Sequence, residues 1–120
     1  MAHTFYKYHG AGNDFILFDN RLNRVQLSSE RIAELCHRHY GIGADGLMLL
    51  EKPRNEGDDF YMVYYNADGN ESTMCGNGGR CIAKFAQDLG IIQDKATFTA
   101  IDGPHWATFD GDQVALGMVD

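Results

Sequence analysis

Apolar positions in this chain fall into short runs separated by glycine- and asparagine-rich turns, and the period of the runs changes twice from that of a strand to that of a helix. Thr4 to Tyr8 and Phe15 to Phe18 read as two strands flanking Gly10-Ala11-Gly12-Asn13-Asp14, a turn composition. Ser28 predicts a helix N-cap, with Leu27 and Ile32 placed as a hydrophobic staple and Glu30 in the first turn. That helix is expected to run to about His39 and to bury Ile32, Leu35, Cys36 and His39 or Tyr40. Arg38 suits its last turn and Gly41 the position just beyond it. Gly46 to Leu50 reads as a short buried strand, and Lys52 to Asp58 as a loop. Phe60 to Tyr65 carries the strongest strand signal, rich in aromatics and ended by Asn66-Ala67-Asp68-Gly69-Asn70.

The second helical stretch starts at Met74-Cys75-Gly76-Asn77-Gly78-Gly79-Arg80-Cys81 and continues to Gly90. At about 100° per residue, Gly79, Ile82, Ala86 and Leu89 fall on the same side as Cys75, while Arg80, Lys84, Gln87 and Asp88 lie opposite. The apolar stripe of this helix therefore ends at a thiol. Ala96 to Ile101, His105 to Phe109 and Val114 to Val119 read as further strands, with Asp110-Gly111 as a hairpin turn. About seven strands and two helices without a regular βαβ alternation predict a single α+β domain over residues 1–120.

Composition narrows the function classes. The 120 residues are 44% hydrophobic and 22% charged, in the range of an ordinary globular domain. A net charge of −7 argues against nucleic acid or an anionic membrane as partner, because phosphate binding needs clustered Lys and Arg. The three cysteines, at positions 36, 75 and 81, are too few for a disulfide framework. With no basic-then-apolar signal pattern at the N-terminus and no apolar run of about 18 residues, a cytoplasmic setting is expected.

Three motifs compete for a chemical role. Gly41-Ile42-Gly43-Ala44-Asp45-Gly46 satisfies G-x-G-x-x-G as a string, but a helix precedes it and a strand follows. Dinucleotide binding requires the reverse, since the helix N-terminus must hold the pyrophosphate. His37 and His39 point about 200° apart on a helix, so with Cys36 they make a poor metal set, and no metal is expected. Cys81 lies about 120° of rotation from Cys75 and reads as a packing residue. Cys75 stands apart from these. It opens a turn weakened by three glycines, which admit a ligand to the backbone, and the unpaired N–H groups of a helix start stabilise a thiolate and bind carboxylates. On the residues alone it is a candidate catalytic thiol, with a structural cysteine as the alternative.

His9 to Phe15, Arg38 to Gly46, Tyr65 to Gly69 and Met74 to Cys81 together resemble, in order and spacing, the N-terminal half of the diaminopimelate epimerase family. The resemblance implies one of two pseudo-symmetric halves, each a curved, mostly antiparallel sheet around a central helix, with the active site in the cleft between them. It implies interconversion of LL- and meso-diaminopimelate, on the route to lysine and peptidoglycan, by two opposed acid–base cysteines without pyridoxal phosphate, other cofactor or metal. Cys75 matches one of these cysteines, and the second belongs to a C-terminal half not contained in these residues. Asn13, Asn66, Gly76 and Asn77 match substrate-binding positions. Gly46 falls where some members carry a glutamine that touches substrate. A small-molecule substrate is thus expected, and so is pairing with a C-terminal half or a second copy of the chain. A racemase of the same superfamily acting on another amino acid such as proline, and a non-catalytic carboxylate-binding module, are the alternative readings.

Overall fold

The computed structural model describes residues 3–10, 12–73, 76–111 and 113–118. Among these described residues seven strands and two helices follow one another as β1 (Tyr6–Gly10), β2 (Asn13–Asp19), α1 (Ser29–Cys36), β3 (Gly46–Glu51), β4 (Phe60–Asn66), α2 (Gly76–Asp88), β5 (Lys95–Ala100), β6 (Gly103–Asp110) and β7 (Gln113–Met118). They form one sheet whose spatial order is the order of the sequence. The pairings β2–β3 and β4–β5 are parallel and the other four antiparallel. Parallel neighbours need a crossover connection, and each parallel pair here is bridged by one of the helices. The mixed sheet with two helices is the expected α+β class.

Strand alternation sends successive side chains to opposite faces of the sheet. Phe15, Leu17, Met48, Leu50, Phe60, Met62 and Tyr64 point to one face and pack with Ile82, Phe85 and Ala86 of α2. Ile16, Phe18, Leu47, Leu49 and Val63 point to the other and pack with Ile32 and Cys36 of α1. Burial on both sides explains why β2 and β3 read as near-continuous apolar runs. Phe15, Leu17, Met48, Leu50, Phe60 and Ile82 are at most 1% exposed, and each such side chain contributes about 1.5–3 kcal/mol of hydrophobic stabilisation. Helix α2 touches β1, β2 and β3 as well as β7, so the sheet curls around it. The buried side of α2 is wider than the stripe read from Cys75, because Cys81, Ala83 and Phe85 are also buried.

Helix α1 departs from expectation at its end. It stops at Cys36, and His37 adopts an extended conformation as its cap. The chain then folds back, so that the backbone N–H groups of Gly43 and Ala44 donate to the carbonyls of Leu35 and Cys36 at 2.9 and 3.1 Å. His37 Nδ1 accepts from the N–H groups of His39 and Tyr40, competing with any further helical turn. His39 and Tyr40 are consequently exposed rather than buried, Tyr40 at 89%. Gly41 is required for a reason other than a left-handed cap: a Cβ there would stand 2.0 Å from the carbonyl oxygen of Glu34.

Candidate active site

The residues expected to bind substrate gather at one end of the sheet, on the α2 face. Phe15 of β2, Gly46 of β3 and Asn66 of β4 are register partners, forming a row across three strands. Asn13 lies two residues before Phe15 along β2 and so faces the same side. Helix α2 begins with Gly76 and Asn77 at this end, for Asn77 Nδ2 donates to Asn13 Oδ1 at 2.7 Å across 64 residues of sequence. Gly10 at the end of β1 approaches the same first turn: a Cβ on it would lie 3.3 Å from Cys81 Sγ and 3.6 Å from the Asn77 carbonyl oxygen. Asn66 stands at the mouth of the turn after β4, its carbonyl accepting from Gly69 N–H and its own N–H donating to Asn70, both at 2.9 Å. Cys75 lies outside the described residues; in sequence it directly precedes the first residue of α2.

An ionic cluster behind Asn13 holds that amide in place. Arg38 donates from Nη1 and Nη2 to the two carboxylate oxygens of Asp14 at 3.0 and 2.8 Å, and from Nη2 to Asp45 at 3.2 Å. Lys7 Nζ donates to Asp14 at 2.8 Å and also to the Gly43 carbonyl. The hydrogen bonds from Arg38 hold the Asp14 carboxyl well below the usual carboxylate range against the opposing effect of burial, with Lys7 adding to the same end. Asp45 in turn accepts from the Asp14 N–H at 3.0 Å and from Asn13 Nδ2 at 3.3 Å. A carboxylate can only accept here, so Asn13 must present its nitrogen to Asp45 and its oxygen to Asn77. Arg80 Nη1 completes the line by donating to Asn77 Oδ1 at 3.2 Å.

The two amides are thereby oriented, and among the described residues one N–H on each Nδ2 is left to meet a ligand. Neutral oriented donors beside the start of a helix suit a carboxylate. Asp14, Arg38 and Asp45 were visible in the sequence only as motif residues. Their joint role depends on α1 ending early enough to release Arg38 toward β2.

At Gly46 the structure leaves no space for a side chain, because a Cβ would stand 2.7 Å from Tyr64 Cε1 and 2.9 Å from the Tyr65 carbonyl oxygen. The glutamine that the resemblance implies at this position in some members therefore does not fit at residue 46 with Tyr64 where it stands. Cys36, the last residue of α1, is buried, and burial pushes its thiol pKa up, away from reactivity. Gly41 to Gly46 runs from α1 into β3, the reverse of a dinucleotide-binding turn. Among the described residues no group of three His, Cys, Asp or Glu side chains is arranged to hold a metal ion, and no helix is long and apolar enough to cross a membrane.

Comparison with known proteins places this geometry in a lineage. A diaminopimelate epimerase of Flavobacterium psychrophilum is 56% identical over 115 residues, covering 94% of this chain and 44% of the relative. Diaminopimelate epimerase 1 of Nostoc sp. is 49% identical over 100 residues, covering 82% of this chain and 36% of the relative. The chain thus spans less than half the length of the curated relatives it matches. Among solved structures, a hydroxyproline epimerase from Agrobacterium vitis superposes with a TM-score of 0.73 at 12% identity, covering 96% of this chain and 41% of that one. A phenazine biosynthesis protein of the PhzF family from Enterococcus faecalis gives 0.69 at 14% identity, covering 95% and 43%. At such identities these two share the fold alone. The family model for diaminopimelate epimerase matches residues 5–114, and with that span, the ordered motifs and the fold together, the chain belongs to the diaminopimelate epimerase family.

Proposed function

We propose that this chain supplies one half of the active site of a diaminopimelate epimerase, an isomerase interconverting the LL and meso forms by two-base proton transfer. The observation that carries the reading is the hydrogen bond between Asn77 and Asn13, which brings together the start of α2 and the start of β2.

Inversion at an α-carbon needs a base on one face and an acid on the other. Cys75 acts as one of these, as thiolate or thiol according to reaction direction, its charge stabilised by the N–H groups at the beginning of α2. Gly76 and Asn77 receive the substrate carboxylate as negative charge develops toward the carbanion, while Asn13 and Asn66 orient the amino acid. The opposing cysteine comes from the C-terminal half that the relatives carry and that closes the cleft.

The test is a chimera in which this chain replaces the matching N-terminal segment of the Flavobacterium psychrophilum enzyme, incubated in deuterated water with LL-diaminopimelate. Deuterium enters the α-position and meso product accumulates if the reading is right. A chimera that is folded by circular dichroism and exchanges no α-proton overturns it.

A further inference from the structure

The hydrogen bonds through Asn77 and Asn13 run in one direction. Arg80 Nη1 donates to Asn77 Oδ1 at 3.2 Å, Asn77 Nδ2 to Asn13 Oδ1 at 2.7 Å, and Asn13 Nδ2 to Asp45 Oδ2 at 3.3 Å. A cation therefore stands at one end of the amide pair and an anion at the other. Asp45 is also held by Arg38, as part of the ionic cluster behind Asn13. Arg80 is placed differently. Arg21, Arg31, Arg38 and Arg54 each face a carboxylate, whereas Arg80, exposed near the start of α2, makes no ion pair among the described residues. Its guanidinium lies over the first turn of the helix, where a Cβ on Gly76 would stand 3.5 Å from Nη1.

Contact between helix residues three apart is ordinary, and alone it says only that two neighbours touch. Here, however, the other end of the acceptor is committed. Asn77 gives its nitrogen to Asn13, so its oxygen is left to meet a donor from elsewhere. A charged donor does more than fill that need. Hydrogen bonds in series polarise one another, so drawing electron density from the Asn77 carbonyl makes the Asn77 N–H groups stronger donors. The gain passes on to Asn13, where Asp45 opposes it, and is therefore greatest at Asn77.

We propose that Arg80 is a positioning residue for proton transfer, fixing the direction of the Asn77–Asn13 pair and strengthening Asn77 as a donor to the substrate carboxylate. It acts through Asn77 without touching substrate. The proposal rests on the epimerase reading, because it presumes that Asn77 receives the carboxylate on which negative charge develops. A donor strengthened by a cation matters more as that charge grows, so the effect falls on kcat before KM.

The same chimera lets the two readings fail separately: a folded parent without proton exchange removes the epimerase reading, and an active parent isolates Arg80. In the active parent the charge at position 80 is stepped through R80K, R80Q and R80E. R80K is expected to keep kcat within about threefold and R80Q to lower it about tenfold. R80E, whose carboxylate only accepts, is expected to lower kcat about a hundredfold, with KM within about threefold throughout the series. A kcat that does not follow the charge, or a KM that rises alone, overturns the proposal. The loss must also pass through Asn77. R80Q added to N77A should leave the residual α-proton exchange unchanged, and a further loss of about tenfold there overturns it. A readout without activity uses the chain itself, with the side-chain amides of Asn77 and Asn13 followed by 15N resonance. Both are expected to move in R80Q and to return toward their original positions in R80K, and an Asn13 resonance that stays in place overturns the relay.

Discussion

The two helices of this domain begin in opposite ways. Ser28 caps α1, its hydroxyl accepting from the Arg31 N–H at 3.1 Å, and Glu30 sets a carboxylate in the first turn. The chain itself thereby satisfies donors and dipole at that end. Helix α2 has no acidic residue in its first turn and opens instead through Gly76, Asn77, Gly78 and Gly79, with Gly78 and Gly79 buried against the sheet. Asn77 in that turn bonds Asn13 at the end of the sheet. One helix start is capped by a serine and a first-turn carboxylate, and the other opens on glycines with no acidic residue in its first turn. Both sheet faces are closed by apolar packing, and the α2 face also carries the Asn13–Asn77 pair at one end.

The largest expected effect comes from the start of α2. C75A in the chimera should lower α-proton exchange about 10²- to 10⁴-fold with the melting temperature little changed, and exchange retained at the parental rate would break the contrast between the helices. Next is the anchor behind Asn13. D14N removes the carboxylate that Arg38 and Lys7 grip, and is expected to cost roughly 2 kcal/mol in urea unfolding and to raise KM as Asn13 loosens. A D14N protein that unfolds earlier with KM unchanged would show that the cluster only stabilises. S28A should cost about 1 kcal/mol by removing the α1 cap while leaving kcat and KM alone, the mirror image of C75A.

G76A sharpens the comparison further. Among the described residues a Cβ at Gly76 meets only Arg80 Nη1, at 3.5 Å, an ordinary van der Waals distance. The lost glycine entropy should raise stability by something under about 1 kcal/mol while KM rises, because the methyl group crowds the approach to the backbone. Thermal melts and steady-state kinetics on one sample would show whether the two effects oppose each other as expected.

The smallest effect concerns pH and the other end of α2. Tyr8 donates its hydroxyl to Asp88, and burial first and that hydrogen bond second raise its pKa above the ordinary tyrosine value of 10.0. The folded state then holds the phenol proton more tightly than the unfolded state. The stability this brings is complete below pH 10 and is lost as pH rises beyond it. Asp14 works in the opposite sense, since its lowered pKa gives stability that is present above the ordinary carboxylate value of 3.8 and fades as pH falls below it. Y8F should flatten the alkaline decline in melting temperature and leave the acid decline untouched.

Much of this was legible along the chain. The two helices, the strong β4 and the antiparallel pairing of β6 with β7 follow from periodicity and turn composition, because local preferences and the period of burial are written residue by residue. The thiol ahead of a glycine-rich helix start and the four ordered motifs pointed to the family for the same reason: each is a short-range pattern. The end of α1 was misread because Arg38 and Gly41 suit a helix terminus locally. The fold-back of Gly43 and Ala44 and the pull of Asp14 on Arg38 outweigh that preference.

What only the tertiary structure decided are meetings between residues far apart in sequence. Asn13 reaches Asn77 because β2 and the start of α2 share one end of a curled sheet. Asp45 orients Asn13 because β3 pairs in parallel beside β2. Tyr64 covers Gly46 because its ring runs along the sheet instead of standing over its own register partner. Sequence patterning assigns a residue to a face, but strand register, sheet curl and side-chain direction decide which residues on that face touch. The sequence by itself therefore determined the elements, the family and the glycine-rich stretch that opens α2, and three-dimensional packing chose which amides and charged groups meet at that end of the sheet.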